Sequence, residues 1–334
     1  MTFSPDAAAR PDSGIFGLDT PPADAKVILV PVPFDATASY GRRTAAAPAA
    51  ILRASHQVDL LDRETGRPYE AGIAMLPEHT PVARWNDEAR AVADACRHSP
   101  PGPERDARVQ AVTRRSEAVN EWLRDEADRW LGEGRVVGVV GGDHSAPFGL
   151  IDALSRRTGG LGVLHVDAHA DLREAYEGFA WSHASIMHNV LARTSAARLV
   201  QVGVRDFGEA ELAAIEGSRG RVTTFFDQDL ADELARGTPL AALAARIVDA
   251  LPREVYVSFD IDGLDPALCP HTGTPVPGGL SFRDACVLLK AVTSSGRRIV
   301  GFDLCEVGPA EDEWDANVGA RVLYKLIGHA LSAA

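Results

Sequence analysis

The chain has no run of about 18 apolar residues, the length a membrane-spanning helix needs, so no membrane segment is expected. Cysteine is scarce. Cys96, Cys269, Cys286 and Cys305 stand apart without C-x-x-C spacing, which argues against a zinc ribbon or disulfide framework and for reduced thiols in a packed interior. Positive charge is outnumbered: 34 Lys and Arg face 47 Asp and Glu, a net charge of −13, and no basic patch interleaves with aromatics. Nucleic acid is therefore not expected as a partner. The opening MTFSPDAAARPDSG lacks both a basic and an apolar targeting region, so the cytoplasm is the expected compartment. No G-x-G-x-x-G follows an apolar run and no G-x-x-x-x-G-K-[ST] occurs, which leaves dinucleotide and P-loop readings without their best support.

What the 334 residues do contain is a recurrence of short β-branched runs: VILVPV (27–32), VVGVV (136–140), LGVLHV (161–166), LVQVGV (199–204), VYVSF (255–259) and RIVGF (298–302). Weaker candidates lie near 72–76 and 222–225. Such runs read as strands buried on both faces, as in a parallel sheet. Helical patterns fall between them, at about 104–131, 146–156, 184–193, 208–216, 239–250, 282–293 and 316–331, with GEG at 132–134 closing the first. The alternation predicts βαβ units and a three-layer α/β sandwich. Residues 1–25, rich in Ala, Pro and Asp, read as an arm, and 26–334 as one domain.

Ligands of open α/β sheets bind beyond the carboxyl ends of the strands. Three strands end in acidic or imidazole side chains there: VVGVVGGDHS (136–145), LHVDAHAD (164–171) and VSFDIDGLDP (257–266). Residues two apart on an extended chain share a side, so Asp167, His169 and Asp171 face together, as do Asp260 and Asp262. His144 arrives from a third strand end. Four carboxylates gathered without cations would repel one another or take up protons. A divalent metal site is expected instead, with Mn²⁺ favoured by carboxylate and imidazole ligands and Ni²⁺, Co²⁺ or Zn²⁺ as alternatives. Six ligands exceed what one catalytic ion needs, and two ions roughly 3.5–4 Å apart would hold a bridging water and shift its pKa from about 15.7 toward neutrality.

These motifs, with HTGTPVPGGLS (271–281), occur in the order found in the ureohydrolase family, which includes arginase, agmatinase, guanidinobutyrase and formiminoglutamase; the chain resembles that family from about residue 26 to the C-terminal helix. DLREAYEGFAWSHASIM (171–187) is most similar to the agmatinase loop. The resemblance implies an eight-stranded, mostly parallel sheet and two Mn²⁺ per chain. One ion would be held by His144, Asp167, Asp171 and Asp260, the other by Asp167, His169, Asp260 and Asp262. It also implies hydrolysis of a small guanidino substrate to urea and an amine, with agmatine the leading candidate, and assembly as a trimeric or hexameric homo-oligomer. Guanidino acids, arginine and formiminoglutamate are the alternatives, with a catalytically silent subunit behind them.

In the same resemblance His183 falls where a proton-shuttling histidine stands, and Asp284, in GGLSFRD, where a glutamate contacts the substrate guanidinium. S-F-R-D (281–284) also reads as a capping box for the next helix. Arg173 replaces an asparagine of arginase, which argues against arginine as substrate; it is read as paired with a neighbour such as Glu174 or Glu177. Trp181 is read as lining the mouth or packing, and Glu306 as supporting the site or ending a strand in solvent.

Overall fold

In the computed structural model, residues 4–41 and 43–332 are described. Eight strands form one parallel sheet: β1 (Val27–Val32), β2 (Ile73–Met75), β3 (Val136–Gly141), β4 (Leu161–Val166), β5 (Arg198–Val204), β6 (Val222–Phe226), β7 (Glu254–Asp260) and β8 (Arg298–Cys305), in the spatial order β2-β1-β3-β8-β7-β4-β5-β6. Every residue of β1 and β4 is buried. That is why these segments read as continuous apolar runs rather than alternating ones: both faces carry helices.

One face packs against α1 (Ala47–Ser55), α7 (Asp227–Ala235), α8 (Leu240–Asp249), α9 (Phe282–Ser294) and α10 (Trp314–Ser332), where Val27, Leu29, Leu164 and Val166 meet Ile51, Leu243, Leu289 and Leu323. The other packs against α2 (Thr80–Arg97), α3 (Pro103–Gly132), α4 (Phe148–Arg157) and α5 (Ile186–Arg193), where Ile28, Val30 and Val163 meet Val82, Leu123 and Leu150. The alternation along each strand thus divides it between two cores. A remaining helix, α6 (Glu209–Gly217), follows β5.

The segment before β1 is not merely laid over the surface. Ile15, Phe16 and Leu18 are buried in the first core, Phe16 N donates to Ser55 Oγ (2.8 Å), and the Phe16 ring lies 4.8 Å from that of Tyr324. All four cysteines are free and buried, as expected of packed thiols. Among the described residues no helix is long and apolar enough to cross a membrane.

Strand order sets the site. The chain runs β1, β2, β3, then skips two positions to lay down β4, β5 and β6, and returns to fill the gap with β7 and β8. The carboxyl ends of β3, β8, β7 and β4 are therefore side by side, at the place where connections diverge and a crevice opens.

Candidate metal centre

His144 reaches the crevice by a turn that demands glycine. A Cβ on Gly142 would sit 2.1 Å from Phe34 O, and the backbone there donates from Gly142 N to Val32 O (2.9 Å). The His144 Nδ1 atom lies 2.9 Å from Asp167 Oδ2, 3.2 Å from Asp260 Oδ2 and 3.4 Å from Asp171 Oδ2. Its other nitrogen is 2.9 Å from Ser258 Oγ, and Ser258 donates its hydroxyl to Asp303 Oδ2 (2.8 Å). With that proton committed, Ser258 accepts from His144 Nε2–H, so Nδ1 is the ring nitrogen turned toward the carboxylates.

The second grouping shares Asp167. His169 Nδ1 lies 3.4 Å from Asp167 Oδ1 and 3.2 Å from Asp262 Oδ2. The two oxygens of Asp167 thus face opposite ways, one toward each histidine, and Asp260 Oδ1 accepts from Asp262 N (2.9 Å) to tie the β7 pair together. Asp171 and Glu306 hold left-handed backbone, φ 53° and 59°, uncommon for side chains other than Asn, Asp or Gly. Asp171 O takes the amides of Met187 and His188 (both 3.1 Å), which fix that turn, and Glu306, only 7% exposed, accepts from His144 N (3.0 Å). Glu306 therefore supports the His144 backbone and does not end its strand in solvent.

The electrostatics of the cluster are those of a site suited to cations. Burial, reinforced by the charge of Asp167, lifts the Asp171 carboxyl well above its ordinary range, and burial with Asp262 and Asp167 does the same to Asp260. Burial opposes charge on His169 as well, yet Asp262 and Asp167 raise it to about 12; Asp167 and Asp260 likewise raise His144 well above the usual imidazole value. Without cations the cluster balances itself by holding protons on ligand atoms. Divalent ions would replace those protons, and the donor atoms of His144, His165, Asp167 and Asp171, and of Asp167, His169 and Asp262, each lie within 4.8 Å of one another. The residues fit a pair of metal ions.

Above the cluster opens a cavity of about 490 Å³, within the size range of small-molecule sites. His169, Asp171, Arg173, Tyr176, His183, Asp206, Glu211 and Thr274–Val276 line it, as do Ser39 and Tyr40 from the loop after β1. His183 sits in the wall, its Nδ1 buried with no partner among the described residues and its ring centroid 5.8 Å from that of Tyr176. Burial and the neighbouring His169 depress its pKa to about 4.

The remaining residues picked out by sequence fall elsewhere or take other partners. Asp284 is not brought to the cavity: Ser281 N donates to its Oδ2 (2.9 Å), its own amide donates to Ser281 Oγ (3.1 Å), and it borders a separate apolar pocket between α7, α8 and α9. The side chain one methylene shorter than glutamate is held as a helix cap. Arg173 does line the cavity, but its partner is neither Glu174 nor Glu177; its Nε is 3.4 Å from Glu211 Oε2 and its guanidinium lies over the Tyr176 ring. Glu177 pairs with Arg97 of α2, which also donates to Thr37 O (3.0 Å) and Ala38 O (2.9 Å) and so ties both loops of the mouth together. Trp181 is buried behind the wall against Phe148.

A model of the arginase family matches residues 25–328. The chain belongs to the arginase family. An N(1)-aminopropylagmatine ureohydrolase of Thermus thermophilus is 35% identical over 318 residues, 94% of each chain. A guanidinobutyrase of Pseudomonas aeruginosa is 33% identical over 210 residues, 61% of this chain and 64% of its own. The solved agmatine ureohydrolase of Thermoplasma volcanium shares the fold, with a TM-score of 0.73 at 24% identity over 93% of this chain and 92% of that one. As an arginase-family protein the chain is a hydrolase of C–N bonds in linear amidines, acting on small guanidino substrates, and the family uses a binuclear metal centre.

Proposed function

We propose that the substrate is a guanidine with an amine tail, agmatine or its aminopropyl derivative, hydrolysed to urea and the free amine. The observation that carries this is the charge of the cavity wall. Asp206 borders the cavity with no ion-pair partner among the described residues, and the one Lys or Arg among them that lines it, Arg173, is engaged by Glu211. A cationic tail is favoured there over a carboxylate. The name of the Thermus relative, matched over 94% of both chains, agrees with such a tail.

His144, Asp167, Asp171 and Asp260 would hold one ion, and Asp167, His169, Asp260 and Asp262 the other, Mn²⁺ being the metal that suits this donor set best. Bound there, the two cations would acidify a water and stabilise the negative charge that develops in the reaction. The carboxylates orient the ions, the cavity wall surrounds the guanidino carbon, and the His183 ring, neutral at pH 7 because burial depresses its pKa to about 4, takes the proton given up by the attacking water and passes it to the departing amine nitrogen. Assembly as a trimer or hexamer of identical chains is part of the same proposal, and light scattering would read it.

The test is urea release by Mn²⁺-loaded protein from agmatine, N(1)-aminopropylagmatine, arginine, 4-guanidinobutyrate and free guanidine, with Asp260→Asn as the blank. Highest kcat/KM on the two amines, abolished in the blank, supports the proposal. Preference for 4-guanidinobutyrate would transfer the tail-binding role to Arg173 and refute the amine reading.

A further inference from the structure

Beneath the site a row of polar side chains crosses the sheet at a single level. Asp303 of β8 is registered with Ser258 of β7, Ser258 with His165 of β4, His165 with Gln201 of β5, and Gln201 with Thr224 of β6. In strands that are otherwise apolar this row requires a reason. Its β8–β7 half, Asp303 and Ser258, holds His144. The other half converges on His165, which is fully buried and whose Nε2 lies 2.8 Å from Asp167 Oδ2, the oxygen that also faces His144.

Proton positions along that half follow from its end points. The Gln201 Nε2 atom lies 2.7 Å from Ala170 O, a carbonyl that can only accept, so this terminus is the amide NH₂. Thr224 Oγ1 donates to the other terminus, Oε1, at 2.9 Å, in agreement. The same NH₂ lies 3.0 Å from His165 Nδ1, which must therefore accept. The single ring proton is then on Nε2, directed at Asp167.

We propose that His165 is a positioning residue of the metal centre: Thr224 and Gln201 hold it as the Nε2–H tautomer, so that it donates to Asp167 and cannot itself bind a metal. It stands among the donor atoms that surround His144, and a free lone pair there would compete with Asp167 for the ion. The donated proton instead fixes the rotation of the one carboxylate whose two oxygens face both halves of the centre. This inference rests on the reading of Asp167 as a shared ligand.

Two measurements test it. In metal-free protein with ¹⁵N-labelled histidine rings, His165, assigned by its loss in His165→Phe, is expected to show a protonated Nε2 and an unprotonated Nδ1. A proton on Nδ1, or on both nitrogens, overturns the proposal without touching the metal assignment. The second is chelator-competition titration of Gln201→Leu, whose ring is free to change tautomer. It is expected to bind at least one ion about 10-fold or more weakly than wild type, while its metal-free melting temperature shows that it folds. Unchanged affinity overturns the positioning role. Wild-type protein that binds no divalent ion would sink the six-ligand reading and this inference with it.

Discussion

Stripping the cations should make the protein's stability fall with rising pH, by an amount that His169 sets. Between pH 6 and 8 a histidine in the unfolded chain, with a pKa of about 6.5, gives up its proton. In the folded, metal-free protein Asp262 and Asp167 raise His169 to about 12, so it keeps that proton throughout. The native state then binds more protons than the unfolded one, and stability declines across the window, by about 2 kcal/mol from this group alone. At an unfolding entropy of about 2.1 cal/mol/K per residue, 334 residues give about 0.7 kcal/mol/K, so the melting temperature drops by about 3 °C. His144, Asp171 and Asp260, all raised, act in the same sense. His183, depressed to about 4, acts oppositely where its unfolded counterpart titrates, in both forms of the protein. A metal-bound histidine needs no proton, so the loaded protein lacks the His169 contribution. Calorimetry of EDTA-dialysed and Mn²⁺-saturated protein at pH 6, 7 and 8 should therefore show the gap between the two melting temperatures widening with pH. A constant or narrowing gap would refute the reasoning, because it would mean that His169 carries no proton that a metal displaces.

Replacing Arg97 by Met removes the donor to Thr37 O and Ala38 O together with the pair to Glu177, so both loops of the mouth loosen; KM for tailed guanidines should rise about 10-fold, the effect of about 1.4 kcal/mol, with a smaller change in kcat, and steady-state kinetics on agmatine against free guanidine reads the split. Asp284→Ala should lower stability by about 1 kcal/mol through the lost cap and leave KM unchanged; a raised KM would return Asp284 to the substrate. His183→Ala should reduce kcat about 10²–10⁴-fold, as loss of a proton donor does, without lowering the metal content measured by elemental analysis. Added imidazole restoring part of that rate would mark the loss as one of proton transfer.

The strands were legible because burial on both sides turns them into unbroken apolar runs, and even the short β2 and β6 were foreshadowed near 72–76 and 222–225. Helices α1, α2 and α7 were not. In α2 the buried positions are Val82, Asn86, Ala89, Ala93 and Cys96, mostly small or polar residues that barely register as an apolar stripe. The six proposed ligand positions could be singled out because period-two spacing at a strand end suggests a shared direction for Asp167, His169 and Asp171 and for Asp260 and Asp262, and His144 follows a third strand end. By that rule His165 belongs with Asp167, His169 and Asp171, and its signal was present in LHVDAHAD. Gln201, Thr224, Ser258 and Asp303 were beyond reach: each is an ordinary residue in its own strand, and only lateral register unites them. Asp284 shows the opposite failure, where the right residue class at a family position is diverted by a cap three residues away.

The last strand in sequence lies in the middle of the sheet. Because β8 separates β3 from β7, a chain emerging from the ribosome cannot bring His144 beside Asp260 until residues past 298 have been made. Pairings so distant in sequence form late and slowly. The proposed ion site that includes His144 is thus incomplete in every nascent intermediate that lacks β8, whereas Asp167, His169, Asp260 and Asp262 stand at the ends of β4 and β7, which pair directly: a chain truncated before residue 298 should bind fewer ions than the full chain, however much of its helical structure has formed.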